Sequence, residues 1–382
     1  MPMLLATLAA CEGARGAEDE PSAHDGVPVV ENADGEDRPA WTLGPEPLTD
    51  IGGQDESALV LATSAVRTRD GIVVADAGTG ELRWFDAAGR PLRTAGRRGG
   101  GPGEFQHIGW VGLLPGDSLA AWDPVLRRLS MFDPAGRFAR HVSIPARGLL
   151  ASVAGVLDGR ALIIADRAGV QPSAGDPAWR DTAVLLRVAL AGGTADTLGR
   201  FAGTEWYSGG GRVMSRPLGR QTAATAGGGT VYVGTAEEYE VRAYGPDGRP
   251  RTRIRKPHAP VRVRREDREA YLARTVHVGG SAQDRRARAQ ALANAPFPQT
   301  MPPYTGLLTD ARGNLWVRET QPPSATPPVS RWSVFDPRGR WIATVRGPAR
   351  FRALQAGADW VLGVQPDSSD ADHVRIYPLR KR

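Results

Sequence analysis

Between Arg249 and Arg288 the chain carries thirteen basic and four acidic side chains, a local net charge of +9, whereas the whole chain is only +6. Guanidinium groups present planar forks of N–H donors, so the chemistry open to this stretch is capture of an anion. A lipid headgroup, an acidic polysaccharide or an acidic protein surface would fit. The residues that would carry it are Arg262, Arg264, Arg265, Arg268, Arg274, Arg285, Arg286 and Arg288, with Tyr271 among them. A solvated helix face gives the same charge pattern without any ligand. Arginine is also the general choice of this chain, whose only lysines are Lys256 and Lys381. Nucleic acid is disfavoured, because the stretch lacks the aromatic platform on which single strands stack.

Other chemistries find less support. The glycine-rich stretch "GRRGGGPGEF" (96–105) is no phosphate cradle, since Glu104 and Phe105 follow its last glycine where a lysine and a hydroxyl are needed. It reads as a structural turn in which Gly99, Gly101 and Gly103 allow positive φ angles and Phe105 plugs a gap between sheets. Asp76, Asp123 and Asp166 each end a strand-like run, the usual place for a carboxylate that caps the next turn rather than one that binds a metal. There is no Gly-x-Ser-x-Gly elbow and no His-Glu-x-x-His. His107 and His141 lie close to strand-like runs without other ligand residues beside them. No metal, cofactor or catalytic residue is therefore expected.

Elements that could position the basic stretch follow from its surroundings. "RREDREAYLARTV" (264–276) and "SAQDRRARAQALANA" (281–295) are rich in strong helix formers. Tyr271, Leu272 and Val276 share one face of the first, and Ser281 or Asp284 caps the second. Pro296, Pro298, Pro302 and Pro303 end it. Residues 257–303 thus form a helical insertion in a chain that otherwise repeats one pattern: "WFDAAGR" (84–90), "MFDPAGR" (131–137), "AYGPDGR" (243–249) and "VFDPRGR" (334–340). Each is an alternating strand ending in an aromatic residue, followed by a glycine-containing hairpin turn. Degenerate copies stand at 159–201 and 358–379. The sixth unit stops after three strands, and "PLTDIGG" (47–53) matches the fourth strand "PLRTAGR" (91–97) of the first unit. The expectation is an all-β, six-bladed propeller of four-stranded blades, closed by an N-terminal strand, with the helical insertion between blades four and five. Its innermost strands are expected at 59–66, 108–114, 149–156, 220–227, 304–310 and 350–357. They hold one carboxylate, Asp310, which belongs to a turn.

The run "GRRGGGPGEF…GDSLAAWD…LSMFDPAGR" resembles the NHL-repeat class of six-bladed propellers, and more closely the bacterial propeller lipoproteins that are mostly uncharacterised. The resemblance covers residues 41–382. It implies a propeller used for binding or scaffolding in the cell envelope. Metal-dependent lactonases and phosphotriesterases share the six-bladed form, so the other reading is a metal-dependent hydrolase or lyase acting at the mouth of the central channel.

The N-terminus agrees with export. "MLLATLAAC" resembles a bacterial lipobox, which implies cleavage before Cys11 and lipidation of its thiol. Residues 1–11 are then a lipoprotein signal. Residues 12–40 hold nine acids and two arginines, few aromatics and no periodicity, and are expected to be a disordered tether. The protein is expected to be monomeric, held to the membrane only through the lipid, and to bind an envelope protein or another anionic partner.

Overall fold

In "WFDAAGR" the carboxylate of Asp86 accepts hydrogen bonds from the backbone N–H groups of Ala88 and Arg90, both at 2.9 Å. That side chain closes the hairpin between strands Glu81–Phe85 and Pro91–Ala95. Asp336 does the same through Arg338 and Arg340, again at 2.9 Å. Where "AYGPDGR" has Gly245 in place of the aspartate, the Asp247 carboxylate accepts from Arg249 N at 3.1 Å from within the turn. The repeated motif is thus a local device that turns each chain segment back on itself.

The computed structural model of the protein describes residues 22–24, 26–34, 38–53, 56–146, 148, 151–166, 178–209, 212–276 and 281–381. Cys11, the signal-like segment 1–11 and residues 12–21 lie outside the described residues. The remainder is mostly β and propeller-like. Strands Ala62–Arg67, Ile72–Asp76, Glu81–Phe85 and Pro91–Ala95 pair antiparallel in chain order. So do Trp110–Leu113, Leu119–Asp123, Arg128–Phe132 and Phe138–Ser143. The next meander has long third and fourth strands, Ala178–Ala189 and Ala195–Gly209, and Arg212–Ser215 folds back on the latter. Ala223–Gly227, Thr230–Gly234, Glu240–Tyr244 and Pro250–Arg255 follow, and after the insertion Tyr304–Thr309, Leu315–Glu319, Ser330–Phe335 and Trp341–Gly347. Arg352–Ala356, Trp360–Pro366 and Asp372–Arg380 end the chain, and Thr49–Ile51 pairs antiparallel with the last of them. The first strands of successive meanders lie side by side, and that of the final meander returns to Ala62–Arg67.

The core is layered between neighbouring meanders. Leu129 and Met131 of one pack with Ile164 and Leu186 of the next. Phe105 is fully buried among Val73, Trp84, Val111 and Phe132, between the first two meanders. Its ring lies 6.1 Å from that of Phe132. Of the glycines beside it, Gly103 has a positive φ of 74°, but Gly99 and Gly101 do not. A Cβ on either of those two would collide with the Glu104 carboxylate, which accepts from Gly101 N at 2.7 Å and pairs with Arg97. These two glycines leave room for the Glu104 carboxylate, and no positive φ calls for them.

The acidic segment departs from expectation. Residues Val27–Glu31 form a strand, parallel to Pro250–Arg255, and Ala40–Leu43 lies parallel to Trp341–Gly347. Val29 is buried and Glu31 pairs with Arg255 at 3.3 Å. An outer strand leaves a row of N–H and C=O groups unpaired, and "VPVVE" fills it. This part of 12–40 is therefore not a disordered tether. Among the described residues no helix is long and apolar enough to cross a membrane.

Candidate functional site

The insertion begins as a stem. Val263 N donates to Gln299 O at 2.9 Å and Met301 N to Val261 O at 2.8 Å, joining its two legs. Helix α1 (Arg265–Val276) and helix α2 (Ala282–Ala293) stand on that stem. Ser281 and Asp284 form a reciprocal capping box: Asp284 N donates to Ser281 Oγ at 3.2 Å, and Ser281 N donates to Asp284 Oδ2 at 2.9 Å. At the start of α1, the Asp267 carboxylate reaches back to accept from Arg264 N at 3.0 Å.

The helices are seated on the propeller body by specific contacts. Tyr207, on the long strand Ala195–Gly209, donates from its hydroxyl to Ala291 O at 3.2 Å. Arg216 Nε donates to Pro296 O at 2.6 Å. Asp267, buried, accepts from Ser324 Oγ at 2.5 Å, and Arg274 donates to Pro323 O. Tyr271 packs edge-on against Phe297 with ring centroids 5.8 Å apart.

These contacts divide the nine residues of the basic stretch. Arg274 and Arg288 spend guanidinium groups on holding the insertion together, Arg288 through Thr275 O at 3.2 Å. Tyr271 is half-buried beneath the helices, and Arg285 is half-buried too. Arg262, Arg264, Arg265, Arg268 and Arg286 are exposed, as is Arg274 despite its bond to Pro323 O. Arg265 pairs along its own helix with Glu269 at 2.7 Å, and Arg268 lies over the Phe297 ring at 5.6 Å. Leu272 is half-buried; the side chain of Val276 lies outside the described residues.

A groove of about 450 Å³ runs between the foot of the insertion and the meander that precedes it. Tyr239, Lys256, His258, Met301, Arg220 and Glu238 are among its lining residues. Lys256 Nζ lies 2.6 Å from Glu319 Oε1 and 3.2 Å from Ser333 Oγ. It also sits over the rings of Tyr239 and Trp341, 4.8 and 4.0 Å from their centroids. Burial raises the Glu319 carboxyl, but the Lys256 charge together with the hydrogen bonds from Lys256 and Ser333 holds the group below its ordinary value. Burial, then the Glu319 charge, pushes the Tyr239 hydroxyl well above its ordinary value. His258 is lowered by burial, which the Glu319 charge opposes and the Lys256 charge reinforces. Lys256 is thus a charged structural tie at the foot of the insertion. Sequence reasoning missed this network, although one lysine in a body built with arginine was a visible signal.

Behind the groove, Glu205 holds Arg216 at 3.2 Å and Arg220 at 3.4 Å. Glu237 holds Arg180 at 2.9 Å.

The other sequence candidates lie apart from this face chemistry. Asp76 accepts from Val60 N, Leu61 N and Gly78 N at 3.0–3.1 Å. Asp123 accepts from Gln106, His107, Val125 and Leu126 N–H groups at 2.7–3.0 Å. Asp166 accepts from Gly148 N at 2.8 Å. Each of these buried carboxylates binds chain entering the first strand of its meander. Asp310 accepts from Asn314 and the Trp316 indole within its own hairpin. Among the described residues no group of three or more His, Cys, Asp or Glu side chains is placed to hold a metal ion.

No family model matches the chain. No curated protein matches it either. Its fold is similar to solved structures. One is a protein inferred to be exported from Bacteroides fragilis NCTC 9343, 12% identical, with 93% of this chain and 99% of that one covered at a TM-score of 0.52. Another is a member of the DUF4221 family from Bacteroides vulgatus ATCC 8482, 10% identical, covering 90% and 98% at a TM-score of 0.54. A selenomethionine-substituted virginiamycin B lyase from Staphylococcus aureus is more distant, 7% identical at a TM-score of 0.40 over 83% of this chain and 94% of that one. At these identities the likeness concerns the fold alone.

Proposed function

We propose that the protein is an exported binding module, a six-bladed propeller that carries its ligand-binding element as the insertion at 257–303. The six-bladed reading rests on the cycle of first strands and on Thr49–Ile51, which supplies the fourth strand of the last blade. Export is supported by the similarity to a protein inferred to be exported. Anchoring through a lipid on Cys11, in the bacterial envelope, completes the reading.

The observation that carries the binding role is the seating of the insertion. Contacts from Tyr207, Arg216 and Ser324 fix the helix pair, yet five exposed arginines of the insertion take no part in that seating. A rigid scaffold presenting unburied cations is suited to an anionic partner, an acidic protein of the envelope above all. The exposed pairs within α1 are screened and contribute little to stability, so the arginines are free to exchange partners.

The test is in-cell crosslinking and pull-down of the tagged full chain beside one lacking 257–303. A specific envelope partner captured by the first and lost from the second supports the reading. The same partners with both, or none with either, overturns it.

A further inference from the structure

The six first strands line the axis of the ring, and their charges have one sign. Ala62–Arg67, Trp110–Leu113, Ser152–Leu157, Ala223–Gly227, Tyr304–Thr309 and Arg352–Ala356 contain two arginines, Arg67 and Arg352, and no aspartate or glutamate. Each first strand starts where the chain arrives from the preceding meander, and the insertion is one such arrival. Arg352, the first residue of its strand, therefore stands at the end of the axis that bears the insertion. Arg67, the last residue of its strand, stands at the other end, over the Trp360 ring at 4.7 Å.

Arg318 joins Arg352 at the insertion side. It lies on Leu315–Glu319, opposite Gly306 of the first strand and opposite Trp332 on the other side. Trp332 packs against Phe351, the residue before Arg352, with ring centroids 6.3 Å apart. Among the described residues no carboxylate oxygen comes within 4.0 Å of either guanidinium. Arg352 makes one hydrogen bond, from Nη2 to Ala62 O at 3.1 Å; the Arg318 guanidinium makes none among those residues. Asp372, which accepts from Ala62 N at 2.9 Å, is the carboxylate whose charge is felt at Arg352.

Burial lowers the pKa of both groups, and at Arg318 the charge of Arg352 lowers it further. Yet Arg352 keeps an exposed surface. The first strands close into a ring, and at its rim Arg352 reaches Ala62 O on the neighbouring first strand, so the group stands at the mouth of the axis. A concave mouth lined by one sign of charge focuses its field outward. The half-buried Arg318 guanidinium, which feels the like charge of Arg352 and has no carboxylate beside it, is costly unless an anion arrives to pair with the two.

We propose that Arg352 and Arg318 form an anion site at the insertion-side mouth of the axial channel, taking a phosphate or carboxylate group of a small ligand. The site rests on the six-bladed reading and is independent of whether the insertion binds a partner. Two cations at one mouth favour a dianion, so inorganic phosphate is the primary probe and acetate tests a planar carboxylate.

The experiment is thermal unfolding and calorimetric titration of the full chain with each probe at constant ionic strength. Wild type is expected to gain several degrees in phosphate and less in acetate; a larger gain in acetate assigns the site to carboxylates. Arg352→Gln and Arg318→Gln are each expected to weaken phosphate binding at least tenfold. Without phosphate, Arg318→Gln is expected to unfold at or above the wild-type midpoint, since it removes an uncompensated charge. Arg352→Lys, which keeps the charge, should retain part of the phosphate shift, and exposed Arg338→Gln should retain all of it. Deletion of 257–303 should leave the shift intact, so failure of the insertion hypothesis is read separately. No shift in wild type with either anion overturns the site. So does an equal shift in wild type and both glutamine variants, or a glutamine variant that unfolds earlier without phosphate and still binds it.

Discussion

Arg255 Nε lies 2.7 Å from Glu240 Oε2, while the same guanidinium reaches Glu31 Oε1 through Nη1 at 3.3 Å. One arginine thus ties an outer hairpin to the strand Val27–Glu31 laid along its edge. Glu240 also receives Arg253 at 2.8 Å and Arg242 at 2.9 Å. Burial alone would raise its pKa, but the hydrogen bonds from Arg253, Arg255 and Arg242 prevail and bring it from 4.5 to about 2. A carboxylate with a depressed folded-state pKa stabilises fully above its unfolded value and loses that contribution as pH falls through the folded one. Stability should therefore fall between about pH 4.5 and pH 2. Glu240→Gln is expected to cost about 2 kcal/mol at pH 7, discounted from a fully buried pair because its arginines are partly solvated. Denaturant unfolding at pH 7 and pH 3 checks this: the gap between wild type and variant should narrow in acid.

Asn32 predicts a second effect. Its Nδ2 donates to Arg255 O at 2.9 Å and Gly339 O at 3.1 Å, and its Oδ1 accepts from Trp341 N at 2.7 Å. The side chain is buried, so Asn32→Ala strands Gly339 O and Trp341 N, while Arg255 O keeps only the backbone N–H of residue 32 at 3.0 Å. The expected cost is about 2–3 kcal/mol. Hydrogen exchange at the Trp341 amide should accelerate at least tenfold, with little change in meanders remote from it.

Phe105 offers a third. It has no exposed surface and bridges the first two meanders. Phe105→Ala is expected to destabilise by about 3–5 kcal/mol, the range for a large aromatic removed from a packed interior. Gly99→Ala should cost less, about 1 kcal/mol, since the new Cβ meets chiefly the end of the flexible Glu104 side chain, which swings away and gives up Gly101 N and Arg97. Urea unfolding with an unchanged slope would separate both effects from a change in the unfolded state.

Much of the β architecture could be read from sequence because its signals are local. The aspartate–glycine turns at 86–89, 133–136 and 336–339 need only residues four apart. The helices could be read for the same reason, through Ser281 and Asp284. What escaped depends on distant edges. "VPVVE" is short and lies among acids, and it becomes a strand because Pro250–Arg255, more than two hundred residues away, presents an open edge. The long hairpin Ala178–Ala189 with Ala195–Gly209 is likewise extended by what rests on it, Tyr207 meeting α2 at Ala291 O. The Lys256–Glu319–Ser333 tie joins residues 63 and 77 positions apart, a spacing no motif encodes.

Asp267 decides whether the insertion is a separate unit. Its carboxylate accepts from Arg264 N at 3.0 Å, closing the first turn of α1, and from Ser324 Oγ at 2.5 Å, docking that helix on the loop after Leu315–Glu319. Burial would raise its pKa, but the Ser324 and Arg264 hydrogen bonds leave it below 3.8, so the carboxylate is the docked form. Asp267→Ala removes both bonds and leaves Arg264 N and Ser324 unpaired, at a local cost of about 2 kcal/mol. The meanders do not depend on those groups, so the global unfolding midpoint should move by less than about 3 °C. Trypsin should cleave at the arginines of α1 and α2 at least tenfold faster, because cleavage follows the open population of the local unit. Ser324→Ala should give the same pattern at smaller amplitude. If the global midpoint instead falls in step with the cleavage rate, the insertion is part of the cooperative core, and deleting it in the pull-down would report on unfolding. If the two separate, loss of partner capture in Asp267→Ala shows that the exposed arginines must be held in place to bind, since the variant removes none of them.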